Sequence, residues 1–171
     1  YLTAIGQGRE SGEVMDVRTM ILSDVIAVCE LVRAAFFRDV APSMTETGVA
    51  NFLAYIAPQA LEARLATGHQ TWVAQESGLV VGVLQVRSPR HLCMLFVSPN
   101  KRRRGVARGL WTVAKAALDA HAPHGAEVTV KSSLYAVPAY KGFGFTCAGE
   151  VIDEGGIISQ PMIFSLAGAR D

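Results

Sequence analysis

The stretch HLCMLFVSPNKRRRGVARGLWTVAKAALD, from His91 to Asp119, decides how the rest of the chain is read. His91–Val97 is almost continuously apolar, as expected of a strand covered on both faces. A basic loop follows, and from Val106 the residues Leu110, Val113, Ala114, Ala117 and Leu118 mark one face of a helix to about Ala120. Strand, basic loop and helix in that order make an anion site. The first N–H groups of a helix have no partner within it, and its dipole places about half a positive charge there. Gly105 lets the backbone approach a phosphate without a Cβ, and Ala107 keeps the next position small. Arg102, Arg103, Arg104 and Arg108 add charge around them. A solvated basic loop or a nucleic-acid patch would also be basic, but neither needs a glycine opening an amphipathic helix.

Upstream, Val14–Met20 reads as a strand, and Ser23 as the N-cap of a helix running to about Phe37. Glu46–Ala57 and Pro58–Ala66 read as two further helices or one kinked helix. Gln70–Gln75 and Leu79–Arg87 form a hairpin around Glu76-Ser77-Gly78. Downstream come a strand at Glu127–Lys131, a short helix at Val137–Lys141, and a closing strand pair, Phe145–Val151 and Ile157–Leu166, turning at Asp153–Gly156. The first fourteen residues lack periodicity and are set aside as a leader or added remnant; residues 15–171 are expected to form a single α/β domain.

Composition narrows the possibilities. Half of the 171 residues are hydrophobic and 18% are charged, which suits a packed domain burying about 70% of its unfolded surface. Net charge is only +1, so the arginines at 102–108 are a local feature. That favours a small anionic ligand over nucleic acid, whose backbone demands a broad cationic footprint. No apolar run approaches the roughly 18 residues of a membrane span, so no membrane partner is expected. Cys29, Cys93 and Cys147 are widely spaced and odd in number, each in apolar surroundings. They read as small buried hydrophobes in a reducing, cytoplasmic compartment, and no metal site is expected. His121 and His124 flank Pro123 without further ligands at useful spacing.

The pattern Arg102-x-x-Gly105-x-Ala107, following a strand that ends Val97-x-Pro99, resembles the acetyl-CoA-binding motif of the GNAT N-acetyltransferase superfamily. A second block, VTVKSSLYAVPAYKGFGF at 128–145, is similar to another conserved segment of that superfamily, with Ala136, Tyr140 and Gly144-Phe145 at matching offsets. Ser133 stands where the superfamily often has Asn, and Gly156–Met162 looks like the ending of single-domain bacterial members. The resemblance covers roughly residues 15–166. It implies a GNAT-like fold: a mixed, mostly antiparallel twisted sheet of six to seven strands, flanked by helices and splayed between strands 91–97 and 127–131.

It also implies an acetyl-CoA-dependent N-acetyltransferase in which an acceptor amine attacks the thioester directly. The pantetheine arm would lie in the splay and pair with backbone near Phe96 and Val97, where an N–H would polarise the thioester carbonyl. Val106, Ala107 and the arginines would hold the diphosphate, and Ser133 would bond to the arm. Tyr140 would hydrogen-bond to the departing sulfur. Outright proton donation would be uphill, since a phenol near pKa 10 is a weaker acid than a thiol near 8.5.

An alkyl amine is only about 0.04% neutral at pH 7, so a base is needed. The strand 91–97 has no carboxylate, although many relatives carry one there. His91 is the candidate, with Glu46, Asp153 and Glu154 behind it. Tyr135 and the N-terminal aromatics Phe36, Phe37, Phe52 and Tyr55 are candidates for an acceptor wall or for core. Without the carboxylate, a non-catalytic acyl-CoA-binding or sensor module stays open. A homodimer formed through an exposed closing strand at 157–166 is also possible.

Overall fold

The computed structural model describes residues 15–168. The expected leader, residues 1–14, lies outside them. The strands are β1 (Asp16–Thr19), β2 (Gln70–Glu76), β3 (Leu79–Arg87), β4 (His91–Val97), β5 (Glu127–Ser132), β6 (Thr146–Cys147), β7 (Ile152–Glu154) and β8 (Ile157–Ser165). They form one sheet in the order β1-β2-β3-β4-β5-β8-β6, with β7 also paired to β8. Every pairing is antiparallel except β4–β5. The helices are α1 (Val25–Asp39), α2 (Glu46–Tyr55), α3 (Pro58–Ala66), α4 (Val106–Asp119) and α5 (Val137–Gly142).

Helices cover both faces, which explains the continuous apolar runs. On β2, Trp72 and Ala74 face α4, packing with Leu110, Trp111, Ala114 and Leu118. Val73 between them faces α1 and α3, packing with Val28, Val32 and Leu61. Each fully buried aliphatic side chain in these layers contributes about 1.5–3 kcal/mol.

The contact of α4 with the sheet is unusually close at Gly82 on β3. A Cβ there would lie 2.8 Å from Val106 Cγ1 and 2.9 Å from Leu110 Cδ1. The absent side chain lets the first turn of α4 rest on the sheet, beside the end of β4. Gly82→Val is expected to lower stability by about 1–3 kcal/mol, read as a drop in Tm, because neither neighbour is backbone yet both sit in a packed layer.

Several local expectations change. Ser23 does not cap α1; a 3₁₀ turn (Leu22–Asp24) precedes the helix, and Asp24 accepts from the Ile21 N–H at 2.9 Å and from Arg18 at 2.8 Å. Neither Ser23 nor Asp24 makes a side-chain cap to α1; the charge-assisted bond from Arg18 holds Asp24 below its ordinary pKa. α2 and α3 are separate helices, the first capped by Thr45, which accepts from the Gly48 N–H at 3.1 Å. Of the strand expected at 145–151 only Thr146–Cys147 forms, as β6; β7 lies beyond it and takes Asp153 and Glu154 from the expected turn, leaving only Gly155-Gly156. The sheet therefore has eight strands, not six or seven.

β8 is no exposed edge. β5 pairs along one side of it, while β6 and β7 pair along the other, so its ladder groups are largely taken. The cysteines also differ from expectation: Cys147 is exposed on two-residue β6, and Cys29 and Cys93 are only half-buried.

Candidate active site

β4 and β5 are paired only at His91↔Thr129 and Leu92↔Val130. Immediately afterwards the β3–β4 register shifts: Val86 pairs with Leu92 and Gln85 with Met94, leaving Cys93 bulged. A bulge bends a strand and increases its twist. Here it directs β4 away from β5, so the expected splay has a local cause that the sequence does not announce. Beyond Leu92 the side of β4 towards β5 has no strand partner. The opening is part of a cleft of about 940 Å³, within the range of small-molecule sites.

Which β4 amides face this opening follows from alternation. Ser98 N–H donates to Val81 O on β3 at 2.8 Å. Successive residues of a strand point their backbone groups to opposite sides, so those of Phe96 also face β3. Those of Val97 and Leu95 face the cleft. Phe96 was expected to share the backbone contact with Val97; instead its side chain lines the cleft, 5.8 Å between ring centroids from Phe52.

At the end of β4 the chain turns through a 3₁₀ segment, Pro99–Lys101, into α4. Arg103 (φ 58°) and Gly105 (φ 81°) are both left-handed. Such turns bring successive N–H groups to one side as an anion-binding concavity, and the α4 N-terminus adds its dipole. A Cβ on Gly105 would meet nothing within 4 Å. The Val106 side chain is buried, and Ala107 lines the cleft beside it.

The arginines divide. Arg103 and Arg108 line the cleft, and Arg108 also donates to Gly142 O at 3.3 Å and lies over the Phe143 ring. Arg102 forms a fork to the Asp39 carboxylate at the end of α1, with Nη1–Oδ1 at 2.8 Å and Nη2 on Oδ2. Its Nη1 also donates to the Tyr135 hydroxyl at 3.2 Å, across the mouth of the cleft. Arg104 is not part of the lining; it lies 3.8 Å from buried Glu76, which Lys101 also approaches at 2.7 Å. The motif thus carries two anchoring carboxylates, Asp39 and Glu76. Their sequence distance hid them.

Tyr140 faces the same cleft from α5, with 5% of its surface exposed. Its ring packs edge-on against Phe145 at 5.3 Å and Phe143 at 6.2 Å. Burial raises its phenol pKa, keeping the proton on oxygen. Ser133 is half-buried in the turn between β5 and α5 and also lines the cleft.

His91 lines the closed end of the splay. Its Nδ1 is 2.8 Å from the Thr129 hydroxyl. Burial, then the charges of Arg87 and Lys131, push its pKa below the ordinary value, so it is neutral near pH 7. Among the other base candidates, Glu154 lines the cleft but pairs with Lys131 at 2.5 Å. Asp153 Oδ1 accepts from Gly156 N–H in the turn, and Glu46 lies in the first turn of α2, off the cleft. Phe36 is core, stacked on Phe52 at 4.0 Å, while Phe52, Tyr55 and Tyr135 line the cleft. Among the described residues no group of three or more His, Cys, Asp or Glu could hold a metal, and no helix is long and apolar enough to cross a membrane.

Residues 40–166 match the model of the acetyltransferase (GNAT) domain family. The chain belongs to the GNAT acetyltransferase family. No curated protein matches it. Among solved structures, a GCN5-related N-acetyltransferase from Rhodopseudomonas palustris superposes with a TM-score of 0.77 at 21% identity, over 94% of this chain and all of that one. The PaiA N-acetyltransferase from Thermoplasma acidophilum, in complex with coenzyme A, gives 0.72 at 13% identity, over 89% and 99%. A phosphinothricin acetyltransferase from Sinorhizobium meliloti, in complex with acetyl-CoA, gives 0.69 at 16%, over 91% and 90%. At these identities the likeness is one of fold. The fold shared with these structures includes the two elements described here, a strand pair that parts beyond Leu92 and a left-handed turn at the head of α4.

Proposed function

We propose that this protein is an acetyl-CoA-dependent N-acetyltransferase acting on an amine by direct transfer. The observation that carries the reading is continuity: an unpaired strand edge runs from the bulge at Cys93 to a left-handed Gly105 that opens α4, with Tyr140 facing the same space. Acetyl-CoA would supply the acyl group as an activated thioester. The amides before Val106, with Arg103 and Arg108, would take its diphosphate, and Arg102 would border it while fixed by Asp39. Leu95 and Val97 would present main-chain groups to the arm, leaving Ser133 as a polar contact across the opening.

His91 is the group that takes the proton from the acceptor amine. With Nδ1 engaged by Thr129, Nε2 is the nitrogen left for that proton. Tyr140 donates a hydrogen bond to the departing sulfur and keeps its proton, as its raised pKa favours. Two expected results follow. Thiol release from acetyl-CoA should depend on an added amine, and a protein that binds CoA yet turns over none of a broad amine panel would be an acyl-CoA-binding module instead. The acid limb of kcat/KM should fall below pH 6.5, because a lowered His91 pKa keeps the base neutral to lower pH. His91→Gln should lose that limb; an unchanged profile would remove His91 from the mechanism.

A further inference from the structure

The transfer reading leaves the acceptor undefined, and the inner end of the cleft bears on it. That end is cationic. Arg87, the last residue of β3, lies directly across the ladder from His91. Its neighbour Val86 packs towards α4, so alternation puts Arg87 on the opposite face of the sheet. Lys131 follows Thr129, the parallel partner of His91, by two residues and therefore shares its face. His69, just before β2, completes the group, and all four residues line the cleft.

The acids available to balance them are few. The carboxylates lining the cleft are Asp39 and Glu154. Asp39 is engaged by Arg102 at the mouth, and Glu154 by Lys131. Among the described residues no carboxylate pairs with the Arg87 guanidinium. Both histidines have lowered pKa values, His69 through burial and then Arg64 and Arg87, His91 through burial and then Arg87 and Lys131. They add no positive charge near neutrality, and Lys131 is paired with Glu154, so the cation presented to a ligand is Arg87.

We propose that the acceptor is a small amine that also carries an oxyanion, a carboxylate or phosphonate, held by the Arg87 fork while its amine faces His91. The inference rests on the transfer reading. A guanidinium takes such a group through two parallel hydrogen bonds. Directly opposed residues of a strand pair are about 5 Å apart at Cα, which suits an oxyanion and an amine separated by a few bonds. The same field repels polyamines and lysine-rich segments. It also lowers the pKa of the bound ammonium, which eases its deprotonation by a neutral imidazole.

The test uses the full chain with acetyl-CoA and matched acceptors: free amino acids against their amides, aminoethylphosphonate against ethanolamine, and spermidine. The acid-bearing member of each favoured pair should have a kcat/KM at least about 10-fold higher, as expected for a charged hydrogen bond. The two acid series distinguish carboxylate from phosphonate. Arg87→Met should abolish the preference through KM, and Arg87→Glu should shift it towards spermidine. Equal turnover of amides or spermidine, insensitive to Arg87→Met, would overturn the anion site while leaving acetyl transfer in place. Should no amine be turned over, binding of the acids to CoA-saturated protein decides separately. Binding lost in Arg87→Met would uphold the anion site and sink the transfer reading; no binding would sink the anion site. Arg87 is exposed at a strand end, so these variants retain the fold.

Discussion

Gly105→Glu is expected to weaken CoA binding by at least about 100-fold, measured by calorimetry. Two effects must be separated. Gly105 has φ 81°, and any L side chain there costs about 1–2 kcal/mol of strain. That strain is present with and without ligand, so it lowers Tm and largely cancels from affinity. Gly105→Ala isolates it, because a Cβ at this position meets nothing within 4 Å. The alanine variant should melt earlier and bind CoA almost normally. The glutamate variant adds a negative charge at the expected diphosphate position. At about 5 Å and an effective dielectric of about 20, one such pair costs about 3 kcal/mol, which is more than 100-fold. Wild-type affinity in Gly105→Glu would remove the diphosphate from this loop.

Tyr140→Phe should lower kcat by about 100-fold, with the KM for acetyl-CoA nearly unchanged. The ring's packing against Phe143 and Phe145 survives the substitution, so the loss reports the hydroxyl. A hydrogen bond to a charged group contributes about 1.5–3 kcal/mol, and one made chiefly as the sulfur becomes thiolate appears in kcat, not in KM. A fall in Tm accompanied by a proportionate rise in KM would instead mean that Tyr140 serves only as core. A kcat within twofold of the parent would sink the leaving-group role altogether.

Much of this architecture was legible in one sequence. The run from His91 to Asp119 contains its own evidence: continuous hydrophobicity for a strand covered on both faces, a glycine at the turn, and helical spacing after it. The strand and the helix start fall where the periodicity puts them, because both depend on neighbours a few residues away. Pro58 likewise marks the start of α3, and the dipeptide Ser77-Gly78 the hairpin turn. Ser133 and Tyr140, singled out through a segment whose offsets are local, both line the cleft. Boundaries failed where a local signal met a stronger distant one. Ser23 falls inside a 3₁₀ turn instead of capping α1, and the Asp24 carboxylate beside it is held by Arg18 and the Ile21 N–H, not by the helix. The strand expected at 145–151 shrank to Thr146–Cys147, and a separate strand, Ile152–Glu154, pairs with an earlier stretch of β8.

The sequence by itself determined the strand–loop–helix unit and the glycine that opens its helix, since both arise from torsions and periodicity inside a continuous segment. Only the tertiary structure decided what surrounds that unit. The bulge at Cys93 exists because β3 and β4 shift register, and that shift opens the cleft. Asp39 reaches Arg102 across 63 residues, and Glu76 holds Lys101. Arg87, His91 and Lys131 gather at one end because three strands lie side by side. Charges that meet through space leave no periodic trace along the chain, so their partnership appears only when the sheet assembles.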